Sequence, residues 1–285
     1  MTTIAITAAT GQLGRLVLDA LLTRVPASDV VAVVRDGAKA ADLAERGVDV
    51  RVASYDDPAA LTAAFAGVDR LLFVSGNEFG SREQQHRNVV AAAKEAGVGH
   101  VAYTSVLAAP TSTLPVAPDH VVTEQVLAES GLPHTFLRNG WYHENYLGAP
   151  EQAKATGTVL TSAGDGRVAS AARADYAEAA AVVLTTPVAD LPEVYELSGD
   201  EAWTQDDLAA VLSRVTGTPV TVTRVDADGQ REALTAAGVP EGGVFFAVAT
   251  DAGTARGDLA LQTGDLSRLI GRPTATLEQT LRTAS

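Results

Sequence analysis

Short runs of branched apolar residues alternate, through the first half of the chain, with longer stretches whose apolar positions recur every three to four residues. The runs Ile4–Thr7, Val30–Val34, Val48–Val52, Leu71–Val74, Val101–Thr104 and Thr135–Leu137 predict strands. Between them, the helical period predicts helices over Leu13–Arg24, Gly37–Arg46, Pro58–Phe65, Arg82–Ala96 and His120–Ser130. Three of these helices stop at Gly47, Gly97 and Gly131, and Asp57-Pro58 reads as an N-cap followed by a first-turn proline. Strands that are apolar almost throughout imply a parallel sheet covered on both faces. Right-handed crossovers then make a Rossmann-like, doubly wound α/β fold, which binds ligands at the carboxyl ends of its strands.

The pattern loosens after about residue 140. A polar stretch, Ala155–Arg167, precedes Arg173-Ala174-Asp175-Tyr176 and an alanine-rich helix; a strand over Val194–Leu197 follows. Helical segments, Thr204–Val215 and Thr263–Ile270 among them, dominate the remainder. The expected organisation is a nucleotide-binding domain over residues 1–140, to which 165–190 returns. A smaller, mostly helical C-terminal cap comprises 141–164 and 191–285. Within the cap, Trp203-Thr204 reads as a hydrophobic staple and N-cap, and Asp206-Asp207 as a helix-start pair favoured by the dipole. Phe245-Phe246 lines the cap's inner face or fills it.

Charge and composition narrow the function classes. The 285-residue chain carries a formal charge of −14, which repels phosphate backbones and makes nucleic acid an unexpected partner. It has no cysteine, so disulfides, thiolate nucleophiles and most zinc-site designs are excluded. His86, His100, His134 and His143 show no ligand spacing, so no metal is expected. No stretch approaches the roughly 18 apolar residues of a membrane span, and the N-terminus lacks a signal peptide's basic start. Membrane insertion is not expected, and the expected location is cytoplasmic.

Candidate chemistry begins at Ala8-Ala9-Thr10-Gly11-Gln12-Leu13-Gly14, between the first strand and the first helix. Gly11 permits close backbone approach, Gly14 lets helix and sheet pack tightly, and the free N–H groups of the helix start suit a pyrophosphate. The second strand ends Val33-Val34-Arg35-Asp36. Arg35, with Lys39 one turn later, suits the 2′-phosphate of NADP(H), whereas Asp36 suits the ribose of NAD or pairs with Arg35. A third feature is aromatic clustering. Phe136, Trp141, Tyr142 and Tyr146 place four of the chain's 14 aromatic residues within 11 positions after the sixth strand. They form either an acceptor pocket or a core cluster, and Asn139 beside them offers an orienting amide.

These segments together resemble the NmrA-like, atypical short-chain dehydrogenases. The likeness runs through Thr7–Gly14, Val25–Ser28, Val31–Arg35, Gln85–Val90, Ala102–Ser105, Leu137–Tyr142, Glu144–Tyr146, Ser170–Tyr176, Val194–Leu197, Ala202–Thr204 and Leu269–Gly271. Within that family the chain looks most like the flavin-free NAD(P)H:quinone oxidoreductases of type 2, with the triphenylmethane-dye reductases next. The resemblance implies NADP(H) as cofactor, contacted by Thr10, Gly11, Gln12, Leu13, Gly14, Arg35, Ser75, Gly76, Asn77, Asn139, Gly140, Trp141, Tyr142, His143, Glu144 and Arg173. Two positions depart from the family pattern. Ala8 replaces the first glycine of the loop, and Ser54 stands before Tyr55 where Asp is common.

Standard short-chain dehydrogenases carry a serine after the fifth strand and Tyr-x-x-x-Lys on the next helix. Here Ser105 is present, but His120 and Glu124 occupy the tyrosine and lysine places. Glutamate cannot do the cationic work of lysine, so alcohol–ketone interconversion is not expected. Quinone reduction tolerates the change, because hydride delivery yields a stabilised aromatic hydroquinone anion. The expectation is therefore an NADPH-dependent quinone reductase with a small planar acceptor, and candidate catalytic residues Asn139, Tyr142, His120 and Ser105. His120 stabilises the product or simply pairs with Glu124. The alternatives are an NADP-binding redox sensor of the NmrA-like type and a dye reductase.

Overall fold

The computed structural model describes residues 2–76, 78 and 80–283. Along the chain run β1 (Ile4–Ile6), α1 (Gln12–Leu22), β2 (Val30–Val34), α2 (Ala41–Glu45), β3 (Asp49–Val52), α3 (Pro58–Ala64), β4 (Arg70–Phe73), α4 (Arg82–Glu95), β5 (His100–Val106), α5 (Ala117–Ser130) and β6 (His134–Asn139). After these come α6 (Ala149–Thr156), β7 (Thr158–Thr161), α7 (Arg173–Thr185), β8 (Val194–Leu197), α8 (Gln205–Thr216), β9 (Thr221–Arg224), α9 (Ala227–Ala236), α10 (Glu241–Arg256), α11 (Asp265–Ile270) and α12 (Leu277–Thr283). Seven strands form one sheet in the order β3-β2-β1-β4-β5-β6-β8, and neighbours from β3 to β6 pair in parallel. The chain moves outward from β1 to β3, then returns to place β4 on β1's other side. That reversal opens a crevice at the carboxyl ends of β1 and β4.

Contacts divide the chain into two compact units: Met1–Val106, Pro118–Asn139 and Ala174–Tyr195 in the first, and Leu107–Ala117, Gly140–Arg173 and Glu196–Ser285 in the second. The first is cored by fully buried strand residues such as Ala5, Val31, Leu71, Phe73 and Tyr103, packed against Leu61, Phe65, Val89 and Leu127 from the helices. Helix ends follow local chemistry. Asp57 caps α3 by accepting from the Ala60 N–H at 3.0 Å, with Pro58 in the first turn. Gly47, Gly97 and Gly131 take positive φ.

Several details differ from the sequence expectation. The helix expected over Gly37–Arg46 splits, because Asp36 accepts from the Ala38 N–H at 3.0 Å and tightens Gly37–Ala40 into a 3-10 turn before α2. Within the polar stretch 155–167, threonine-rich β7 pairs in parallel with β9. Of their apolar residues, β7 and β9 present Val159 and Val222 to the second unit's core, too few to make an alternating pattern. Residues 107–117, expected in the first domain, belong to the second unit. Thr113 donates its backbone N–H to Asp258 Oδ2 at 2.9 Å, Ala108 N–H donates to Glu196 Oε2 at 2.8 Å, and Leu114 packs against Gly253. Among the described residues, no helix is long and apolar enough to cross a membrane.

Candidate functional site

At the end of β1 the backbone turns sharply at Ala8, whose φ is +48°, and Gly11 N–H closes the turn on the Ala8 carbonyl at 2.8 Å. A left-handed alanine stores strain of about 1 kcal/mol that the family's glycine does not. The first helical bond of α1 runs from Arg15 N–H to Gly11 O at 2.9 Å, so Gln12, Leu13 and Gly14 lie ahead of it with N–H groups at the dipole's positive end. No acidic side chain occupies that first turn. Gly14 is required by packing: a Cβ there would run into the Ala8 carbonyl and lie 3.0 Å from Ala9 Cα. This cradle fits a pyrophosphate. Thr10, Gly11, Gln12, Leu13 and Gly14 form this loop and the first turn of α1.

Arg35 follows β2 with its side chain 70% exposed, and Nη1 meets Glu78 Oε1 at 2.5 Å. Asp36, the other partner considered for it, spends its carboxylate on the Ala38 N–H instead. Gln85 donates to the second Glu78 oxygen at 2.8 Å, so Glu78 is held from both sides. Ser75 and Gly76 follow β4, and their N–H groups are already engaged. Ser75 donates to Thr104 Oγ1 at 2.9 Å and Gly76 to His86 Nε2 at 3.0 Å. Asn77 lies outside the described residues. Ser54 forms a local turn with Asp56, and the Tyr55 hydroxyl sits 2.5 Å from Thr7 Oγ1 and 2.7 Å from the Val74 carbonyl.

The place of the usual Tyr-x-x-x-Lys is filled by a two-by-two match. Tyr103 and Ser105, two apart on β5, face His120 and Glu124, four apart on α5. The strand advances about 6.6 Å over two residues and the helix about 6 Å over four, so both pairs meet at once. The Tyr103 hydroxyl lies 2.8 Å from His120 Nδ1, and Ser105 donates to Glu124 Oε1 at 2.6 Å. The expected His120–Glu124 pairing is therefore replaced. Glu124 takes Arg138 of β6 instead, with Nε at 2.9 Å and Nη2 at 2.7 Å, because a carboxylate buried to this degree needs a cation. Burial, reinforced by the Arg82 charge, holds His120 down to about 3. Burial, then the charges of His120 and Arg82, holds His86 down to about 3. Desolvation pushes the Tyr103 hydroxyl well above its ordinary range. His86 is thus a neutral imidazole. It accepts from Gly76 at Nε2 and donates through Nδ1 to Thr123 Oγ1 at 2.7 Å, since Thr123's own proton goes to the Asp119 carbonyl.

Asn139, buried, ends β6 opposite Val106. In the second unit, Gly140 donates to the Leu197 carbonyl at 2.7 Å and His143 to that of Ala171 at 2.9 Å. His143 Nδ1 also lies 2.9 Å from Thr280 Oγ1, so this buried histidine pins its turn to α12. Both Glu144 oxygens accept the Arg173 N–H, at 2.9 and 3.0 Å, which makes Glu144 a cap for α7. The Arg173 guanidinium lies 4.9 Å over the Tyr142 ring, and Trp141 stacks on Phe246 at 6.3 Å and 18°. The aromatic group therefore divides. Phe136 belongs to the first unit's core, Trp141 and Tyr146 pack partly buried against the second unit's core, Tyr146 edge-on to Trp203, and Tyr142 lies under Arg173. Phe245 is 66% exposed, whereas Phe246 is partly buried against Trp141. Thr204 and Asp207 form a reciprocal capping box, and the Trp203 indole donates to Ser170 at 2.8 Å. Among the described residues no cluster of metal-ligating side chains forms.

Glu78 has no place in the sequence expectation, and His86 and Arg138 enter it within the family likeness without a role of their own. Only the parity of β6 hinted at Arg138, as a charged residue flanked by buried Leu137 and Asn139.

A family model described as the NmrA-like family matches residues 1–243. The chain is 49% identical over 278 residues to quinone oxidoreductase 2 of Escherichia coli K12, covering 98% of this chain and 97% of that protein. It superposes with TM-score 0.95 on a crystal structure of the NADPH-dependent quinone oxidoreductase of Escherichia coli complexed with NADPH, at 48% identity and 99% coverage of both chains. The Citrobacter sp. triphenylmethane reductase complexed with NADP(H) matches with TM-score 0.93 at 39% identity, covering 99% of this chain and all of that one. The parallel sheet, the phosphate loop and these full-length likenesses lead to one conclusion: the chain belongs to the NmrA-like family.

Proposed function

We propose that the protein is a flavin-free, NADPH-dependent oxidoreductase that reduces quinones or similarly planar, electron-poor acceptors. The observation that carries this reading is its near-full-length likeness to a quinone oxidoreductase, on a fold whose first loop fits a dinucleotide. When bound, NADPH supplies a hydride from nicotinamide C4. The N–H groups of Gln12, Leu13 and Gly14 would hold the pyrophosphate, and Arg35, paired here with Glu78, would meet the 2′-phosphate. Trp141, Tyr142 and Asn139 are assigned to orient the acceptor, the first two by their partly exposed rings and the third by its amide.

Two electrons and one proton reduce a quinone to the hydroquinone anion, which takes its second proton from water. The Tyr103–His120 and Ser105–Glu124 pairs supply no acid at neutral pH. His120 is already neutral there, the Tyr103 proton is held tightly, and Ser105 has committed its hydrogen to Glu124. The rate then comes from positioning, which the aromatic, electron-poor acceptor permits. Dye reduction remains the second reading, favoured by the likeness to triphenylmethane reductase. Mixing the protein with NADPH and a benzoquinone or naphthoquinone, and following the nicotinamide absorbance band, tests the proposal. Oxidation of NADPH above the spontaneous rate is expected. NADPH binding without turnover of quinone or triphenylmethane dye would establish the redox-sensor alternative.

A further inference from the structure

The direction of one buried hydrogen bond limits what Ser105 can do. Ser105 and Arg138 are direct cross-strand neighbours on β5 and β6, and both aim at Glu124 on α5. The Glu124 carboxylate receives Arg138 in a fork, Nε on Oε1 at 2.9 Å and Nη2 on Oε2 at 2.7 Å, the geometry of an ionised carboxylate. An ionised carboxylate only accepts, so the hydrogen in the 2.6 Å Ser105–Glu124 contact belongs to Ser105. A serine has one hydrogen. Ser105, buried near the carboxyl end of β5, can offer a bound molecule only its lone pairs.

We propose that Ser105 is a hydrogen-bond acceptor for the nicotinamide half of NADPH, and that Glu124 and Arg138 are the positioning residues that impose this polarity. The assignment rests on the NADPH reading and goes beyond it. A quinone carbonyl is itself only an acceptor, so Ser105 cannot polarise it. On the nicotinamide half of the cofactor, the donors are the carboxamide N–H and the ribose hydroxyls. Ser105 therefore serves the cofactor, opposite in sense to a serine that donates to a substrate carbonyl. The other titratable and charged groups around this network include Tyr103 on β5, His120 on α5, His86 and Arg82 on α4, and Asp119 on α5, which lies 3.3 Å from Arg82. The two histidines are neutral at pH 5 and above, so the polarity of Ser105 is constant across the assay range.

The test is the Kd for NADPH, measured by fluorescence titration from pH 5 to 9, alongside KM for a benzoquinone. Wild type is expected to show a flat Kd profile. Ser105→Ala should raise Kd roughly tenfold at every pH with KM for quinone unchanged, and Ser105→Thr should restore it to within about twofold. In Arg138→Met the buried carboxylate loses its cation, which favours the protonated form; that form donates to Ser105 and turns the serine hydrogen outward. That variant should bind NADPH like wild type at high pH and lose roughly tenfold at low pH. Unchanged NADPH binding in Ser105→Ala, or a change confined to KM for quinone, would overturn the proposal. So would a flat profile in an Arg138→Met protein with native near-UV circular dichroism; if that variant does not fold, the Ala–Thr comparison decides alone. Absence of quinone turnover with intact NADPH binding rejects the functional reading and leaves the binding series to judge Ser105.

Discussion

Substituting Gly14 with alanine tests whether the phosphate loop is held by packing rather than by sequence habit. A methyl group on Gly14 would penetrate the Ala8 carbonyl, and it would stand 3.0 Å from both the Ala8 carbonyl carbon and Ala9 Cα. All three atoms are backbone, so relief requires the whole turn to move away from α1. Overpacking of this kind costs about 3 kcal/mol. Alanine's better helix propensity returns about 1 kcal/mol, which leaves a net loss of about 2 kcal/mol. For a chain of this size that lowers Tm by roughly 4–8 °C. The displaced turn also carries the groups that meet the pyrophosphate, so Kd for NADPH should rise at least tenfold. Gly11 is the internal control. Its added Cβ meets only the Ala8 oxygen, at 3.1 Å, and a shift of a few tenths of an ångström relieves it. Gly11→Ala should therefore cost about 0.5 kcal/mol, the scale of losing a preferred N-cap residue. Thermal denaturation followed by circular dichroism, with fluorescence titration of NADPH, gives both quantities. A Gly14→Ala protein as stable as wild type and with the same Kd would refute the packing argument.

Arg35→Ala should erase most of the NADPH preference, lowering the NADPH/NADH ratio of kcat/KM roughly tenfold or more; an unchanged ratio would remove Arg35 from 2′-phosphate recognition. Glu78→Gln should do the reverse and tighten NADPH more than NADH, because the 2′-phosphate no longer competes with a carboxylate for Arg35, and parallel titrations of both cofactors check this. Burial holds His86 and His120 down to about 3 and His100 to about 4, so these groups stay neutral in the folded protein while the unfolded chain protonates near 6.5. Their contribution is intact above pH 6.5 and is lost as pH falls, at about 1.4 kcal/mol per pH unit for each, so Tm should drop steeply between pH 6.5 and 5 and a level profile would contradict the assignment. With no cysteine and only Lys39, Lys94 and Lys154 as amine side chains, the chain offers few nucleophiles to an electrophilic quinone, and intact-mass spectrometry after excess benzoquinone should find mainly unmodified protein.

Much of the site was legible because it is local. The phosphate loop, Arg35 and the Ser105/His120/Glu124 set sit at fixed offsets from strands and helices whose apolar periods announce them. The aromatic cluster was legible as a cluster but not as a division of labour. Neighbouring positions in a turn point different ways, so Tyr146 entered a core while Tyr142 came under Arg173. His143 and Glu144, expected as cofactor contacts, also carry structural bonds, to Thr280 and to the α7 N-terminus. Those partners lie 137 and 29 residues away, beyond the reach of any local pattern.

The sequence by itself determined the parallel sheet, the glycine loop and the absence of thiol chemistry, since periodicity, steric freedom and side-chain inventory are properties of neighbouring residues. Tertiary structure decided which charge meets which. Nothing in the spacing of Glu124 distinguished a lone carboxylate from one paired with Arg138, and nothing around Arg35 pointed to Glu78 rather than Asp36. Those pairings depend on strand order and on which faces pack together. Through them a hydroxyl's single hydrogen is committed, and Ser105 becomes an acceptor.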